Sequence, residues 1–100
     1  MIKHIVFWKL ADTALNNTAE ENAREIKCQL EALAGQIDGL LHIEVGIDFS
    51  RTDASADVAL YSEFADRESL DAYLIHPLHL AAAAFIGQVR SDRVVVDYEL

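Results

Sequence analysis

The stretch from Ile2 to Leu10 carries apolar side chains on both parities of an extended chain. Ile5 and Phe7 fall on one side, and Val6, Trp8 and Leu10 on the other. Successive side chains of a β-strand point to opposite faces, so a segment patterned in this way needs cover on both. In a chain of 100 residues, one layer of helices can cover one face of a sheet. The second face asks for a further layer.

The rest of the chain supplies the first layer. Asp12 to Asn17 reads as a polar loop, and Thr18-Ala19-Glu20-Glu21 then matches the Ser/Thr-x-x-Glu box that satisfies the free amides opening a helix. Ala19, Ala23, Ile26, Leu30 and Leu33 follow at spacings of four and three, a one-sided apolar stripe, and Gly35 suits the helix end. From Leu41 the period changes to two: Leu41, Ile43, Val45, Ile47 and Phe49 point one way, and His42, Glu44, Gly46 and Asp48 the other. Ser50 to Ser55 is a polar connection, and Val58 to Phe64 reads as a third strand. Asp66 can cap a second helix carrying Leu70, Tyr73 and Leu74. Pro77 cannot continue that helix but suits the first position of a new one, with His76 beside its cap, running through Ala81–Ala84 to Gly87. Arg93 to Tyr98 closes the chain as a β-branched strand.

The order β-α-β-β-α(α)-β predicts a single α+β domain over residues 1–100. It is the ferredoxin-like arrangement, a four-stranded antiparallel sheet with helices on one face. Val94 and Val96 share one parity of the last strand, while Val95 accompanies Arg93 and Asp97 on the other. The first and last strands of this reading therefore present apolar residues to the bare face, and a homodimer that lays one sheet across another is expected.

Composition narrows the partners. Eight Lys and Arg against 17 Asp and Glu leave a net charge of −9, the wrong sign for a phosphate backbone or an anionic lipid surface. Neither nucleic acid nor membrane is expected as a partner. The longest apolar run, Leu80 to Ile86, is far short of the ~20 residues of a membrane helix. Met1 leads directly into strand-like residues rather than a leader, so a cytoplasmic setting is expected. The lone Cys28 precludes an intrachain disulfide or a cysteine-rich metal cluster, and no phosphate-binding glycine loop or nucleophile elbow is present. No cofactor is expected.

Chemistry concentrates in Tyr73-Leu74-Ile75-His76-Pro77-Leu78-His79. His79 shares a helical face with Ala83 and Ile86, and His4 alternates with Val6 and Trp8, so both imidazoles are expected to face inward. A buried imidazole must find a hydrogen-bond partner or give up its proton more readily, and either outcome suits a general base. His76-x-x-His79 also has the spacing of metal ligands, with His4 as a third imidazole, but the proline break disturbs that geometry and no metal is expected. His42 lies on the polar parity of its strand and reads as solvated. Asp97, Glu99 and Glu44 read as surface or interface charges, and Tyr61 and Tyr98 as packing groups with wet hydroxyls.

The strand Ile2-Lys3-His4-Ile5-Val6-Phe7-Trp8-Lys9, the turn Asp38-Gly39-Leu40, the segment Tyr73-x-x-His76-Pro77-x-His79 and the ending Val94-Val95-Val96-Asp97-Tyr98 together resemble the stress-responsive α/β-barrel (Dabb) domain over essentially the whole chain. The resemblance implies a dimeric α/β barrel. One plant branch of the family consists of polyketide cyclases that close a linear polyketide by aldol condensation. They use a strand-one histidine, the tyrosine of the motif and its final histidine, which correspond to His4, Tyr73 and His79. Those cyclases also use a helix-one tyrosine near an apolar pocket; this helix has none, and Ile26 lies in that neighbourhood. The resemblance thus implies a stress-responsive homodimer whose pocket takes a small apolar or carbonyl ligand against His4, Trp8, Ile26, Tyr73, His76 and His79. The alternative is an acid/base enzyme acting on a small carbonyl compound. In it His79 abstracts a proton, Tyr73 holds or protonates an oxygen, and His4 orients its partners. A monooxygenase reading rests on fold analogy alone.

Overall fold

β1, Ile2–Leu10, takes an interior position in the sheet, paired along both of its edges. In the computed structural model, which describes residues 1–100, β1 is followed by a small hairpin of β2 (Thr13–Ala14) and β3 (Asn17–Thr18). Then come α1 (Ala19–Glu31), β4 (Leu40–Ile47), β5 (Val58–Phe64), α2 (Arg67–Leu74), α3 (Pro77–Val89) and β6 (Arg90–Glu99). The sheet order is β4-β5-β1-β6, antiparallel throughout, which is the ferredoxin-like order. No single helix is long and apolar enough to cross a membrane.

Local chemistry sets the element boundaries. Thr18 caps α1 with the reciprocal pair: its hydroxyl accepts from the Glu21 amide at 3.2 Å, and the Glu21 carboxylate accepts from the Thr18 amide at 3.0 Å. Asp66 caps α2 through the Ser69 amide at 2.8 Å. Pro77 opens α3, and His76 is itself the cap, its Nδ1 accepting from the Leu78 amide at 3.1 Å. Gly39 has φ +83, and a Cβ on it would overlap the side chain of Ser69, so both backbone conformation and space require glycine there.

Three expectations need correction. The polar loop Asp12–Asn17 contains the β2–β3 hairpin, whose turn holds Leu15 and Asn16 at φ 52 and 63, the left-handed pair of a tight hairpin turn. The alternation of the second large strand does not start at Leu41. A register shift between Leu40 and His42 bulges Leu41 out to 56% exposure and turns Leu40 inward opposite Phe64. Ile43 and Val45 then face the core as expected, but Ile47 is exposed and Phe49 stands 93% exposed beyond the strand end. Helix α1 stops at Glu31, and tight turns, rather than a further helical turn, bring Leu33 into the core before Gly35.

One face of the sheet carries the core. Ile2, Val6, Trp8 and Leu10 of β1 pack with Val58, Leu60 and Phe64 of β5 beneath Ile26 and Leu30 of α1 and Ile86 and Val89 of α3. The opposite face has no cover within the chain. Register pairs Ile5 with Val96, Phe7 with Val94 and Lys3 with Tyr98, so these share that face. Phe7, Val94 and Val96 are 40%, 53% and 48% exposed. β1 and β6 thus both present apolar side chains to the uncovered face. At the polar margin of this face the Tyr61 hydroxyl is bonded within the chain. It accepts from Lys3 Nζ and donates to Glu63 Oε2, both at 2.6 Å, while Lys3 also pairs with Glu63.

Candidate functional site

A cavity of about 220 Å³ lies between the helix-side face of β1 and helices α1 and α3. Its floor is His4, Val6 and Trp8, alternate residues of one strand, with Leu60 beside them on β5. Leu30 of α1 closes one side. His79, Ala83, Ile86 and Gly87 close the other from a single face of α3, where they stand at offsets of four, seven and eight. Arg90 and Arg93, in the first part of β6, complete the lining. Gly87 has open space where a Cβ would stand, so its lack of a side chain keeps that wall clear.

Both imidazoles are held by their Nδ1 atoms. His4 is 3% exposed, and its Nδ1–H donates to Asp97 Oδ1 at 2.5 Å, across the register that pairs these residues. Asp97 is an exposed acid, as expected, and is also the orienting partner of a cavity histidine. Finding it required the β1–β6 pairing, since Asp97 is 93 residues away in sequence. The Nδ1–H of His79 donates to the Leu74 carbonyl at 3.3 Å, tying the start of α3 to the end of α2. Each histidine in its neutral form keeps an Nε2 lone pair with no protein donor. Burial lowers the His79 pKa below its ordinary 6.5; the Leu74 hydrogen bond opposes this, and the nearby His4, Arg93 and His76 reinforce it.

The remaining predicted residues are distributed unevenly. Tyr73 is fully buried and does not line the cavity; its ring packs near both imidazoles, with centroids 6.2 Å from His4 and 4.3 Å from His79. Its hydroxyl has no hydrogen-bond partner, and burial alone drives its pKa well above the ordinary tyrosine range, so it keeps its proton. Ile26 is a fully buried core residue outside the lining, and His76 spends its Nδ1 on the α3 cap, also outside it. His42 is half-exposed and bonds Glu44 at 2.8 Å. No group of three metal-ligating side chains converges anywhere in the chain. Arg90 and Arg93 were missed by sequence reasoning, although Arg90 continues the His79, Ala83, Ile86 helical face at an offset of eleven from His79.

Comparison with known proteins adds context. Residues 2–100 match the stress responsive A/B barrel domain family, Dabb. An uncharacterized protein of Streptomyces coelicolor is 32% identical over 101 residues, spanning 99% of each chain. Among solved structures, a dimeric ferredoxin-like protein of unknown function from Bacteroides fragilis has a TM-score of 0.84 at 34% identity. The match covers 99% of this chain and 95% of that one. Another dimeric ferredoxin-like protein, from Thermobifida fusca, has a TM-score of 0.85 at 27% identity, covering 99% and 90%.

Proposed function

The chain belongs to the stress responsive A/B barrel domain family, and from that membership we propose that it is a cytoplasmic homodimer, each protomer a single domain, that binds a small apolar or carbonyl-bearing molecule. The observation that carries this reading is the cavity itself, floored by His4 and Trp8 and walled by His79. Six of its eleven lining residues are apolar, and the few polar groups converge from different elements, the usual constitution of a small-molecule site. Its volume exceeds the roughly 150 Å³ in which an engineered apolar cavity holds benzene, so a ring with a short substituent fits. Dimerisation is supported by the uncovered Phe7, Val94 and Val96 face and by the dimeric state of the two similar proteins.

The test uses cyclohexanone as a small apolar carbonyl probe, with the fluorescence of Trp8, the chain's one tryptophan, as readout. Saturable change is expected in the native chain and its loss in Gly87→Leu, which fills the cavity from a position with open space. No saturable change in the native chain would sink the reading.

A second reading, acid/base catalysis, is favoured by one observation: each cavity histidine has Nδ1 engaged and Nε2 free, with His79 poised by burial to be neutral at pH 7. In that reading His79 Nε2 takes the proton α to a carbonyl, leaving an enolate, and returns it from the imidazolium. In this reading Tyr73, buried near both imidazoles and outside the cavity lining, packs them rather than touching substrate. Deuterium uptake at the α-carbons of cyclohexanone in heavy water, followed by NMR, should be catalysed by the native chain and abolished by His79→Gln. Equal rates in the two would eliminate catalysis by His79.

A further inference from the structure

The cavity is free of the charge that dominates the rest of the molecule. Asp and Glu outnumber Lys and Arg by 17 to 8, yet no carboxylate lines the cavity while two guanidinium groups do. Asp97, on the same face of β6 as Arg93, is turned to His4 and stays outside the lining. Elsewhere Arg51 and Arg67 pair with Glu20 and Glu99, whereas Arg90 and Arg93 pair with no carboxylate. A third donor stands nearby. Trp8 lies opposite Arg93 in the β1–β6 register, is 4% exposed, lines the cavity, and has an indole N–H with no hydrogen-bond partner. A buried donor left unmatched is costly, and an acceptor on a ligand would relieve that cost.

We infer that the cavity takes a small apolar monocarboxylate, its hydrocarbon part against Val6, Leu30 and Ile86 and its carboxylate held by Arg90 and Arg93 with the Trp8 indole N–H in reach. The inference rests on the small-molecule reading above and names the ligand's charge. Guanidinium groups match the planar geometry of a carboxylate, and the apolar floor leaves the hydrocarbon part as the larger share of the contact. His79, held toward its neutral form by burial, adds no third positive charge, which fits a single negative one. On a chain of net charge −9 this local reversal of sign also directs an anion to one place.

Phenylacetate and its neutral isostere phenylacetamide, titrated into the native chain, distinguish binding in the cavity from recognition of a carboxylate. The readout is the Trp8 indole N–H resonance, a single signal because the chain has one tryptophan. Both probes should move it, with phenylacetate binding about tenfold tighter. The preference should shrink toward unity in Arg90→Gln/Arg93→Gln and on raising the salt concentration. Equal affinity in the native chain would overturn the carboxylate inference and leave the small-molecule reading standing. A preference that survives the double variant would overturn the assignment to these arginines. If neither probe moves the indole signal at about 10 mM, weaker than millimolar binding, the small-molecule reading fails and this inference with it.

Discussion

Replacing Val96 by lysine tests whether the uncovered sheet face is a subunit interface. Val96 is 48% exposed in the protomer and sits opposite Ile5 on that face, with Val94 and Phe7 beside it. Fully burying a side chain of this size is worth about 1.5–3 kcal/mol, so covering the half still exposed contributes about 0.7–1.5 kcal/mol. A two-fold interface counts each residue twice, giving about 1.5–3 kcal/mol, or roughly one to two decades in Kd. Burying an ammonium group in its place adds a further penalty, so Val96→Lys should weaken the dimer at least tenfold. The substitution changes the net charge from −9 to −8 and so eases like-charge repulsion, which would favour association. Dissociation therefore reports lost burial. Gln36→Lys, an equal charge change on the exposed turn after α1, is the control. Sedimentation velocity across the micromolar range reads the outcome, with far-UV circular dichroism to confirm that the protomer stays folded. The reasoning is refuted if the native chain sediments at the mass of one chain, or if Val96→Lys dissociates no more than Gln36→Lys.

The other predictions concern the protomer. Gly39→Ala forces a side chain into a left-handed conformation and against Ser69, and should cost about 2 kcal/mol or more, a drop of roughly 10 °C in Tm; a change below 2 °C would contradict the packing described. Asp97→Ala strips the buried His4 Nδ1–H of its acceptor and should cost about 1–3 kcal/mol in urea unfolding, whereas a neutral result would mean the pair is not formed. Because burial lowers the His79 pKa in the folded chain, the unfolded chain takes the proton more readily. The contribution of His79 to stability is thus intact above pH 6.5 and is lost as pH falls below it. Urea titrations between pH 7 and pH 5 should show that slope in the native chain and a shallower one in His79→Gln; identical slopes would show that His79 is not desolvated.

Features governed by neighbouring residues were legible in the sequence. The Thr18 box, the Asp66 cap and the Pro77 helix start each depend on positions at most three residues apart, and each is formed. The two-faced patterns of β1 and β6 were equally readable, because strand parity needs no knowledge of the partner strand. What escaped depends on register. The bond from His4 to the exposed Asp97 depends on their sharing a rung, and the Tyr61 bonds depend on the pairing that brings Lys3 and Glu63 alongside. The Leu41 bulge offsets the inward parity by one at the start of β4, where the sequence pattern alone shows an unbroken alternation. For the site, His4, Trp8 and His79 meet at the cavity. Ile26 and His76, carried over from a family pattern, were drawn respectively into the core and onto a helix end.

The chain ends where it began: Met1 and Leu100 exchange backbone hydrogen bonds at one corner of the sheet, beside the last rungs of β1 and β6. Those two strands run antiparallel away from that corner, so a force applied to the two ends loads their hydrogen bonds one after another instead of all at once. Such a geometry yields at low tension, like a peeled seam. The rungs nearest the corner are Ile2 with Glu99 and Lys3 with Tyr98, and the third is His4 with Asp97. A pull on the termini would thus disarm the cavity histidine early, while the core under α1 still stands.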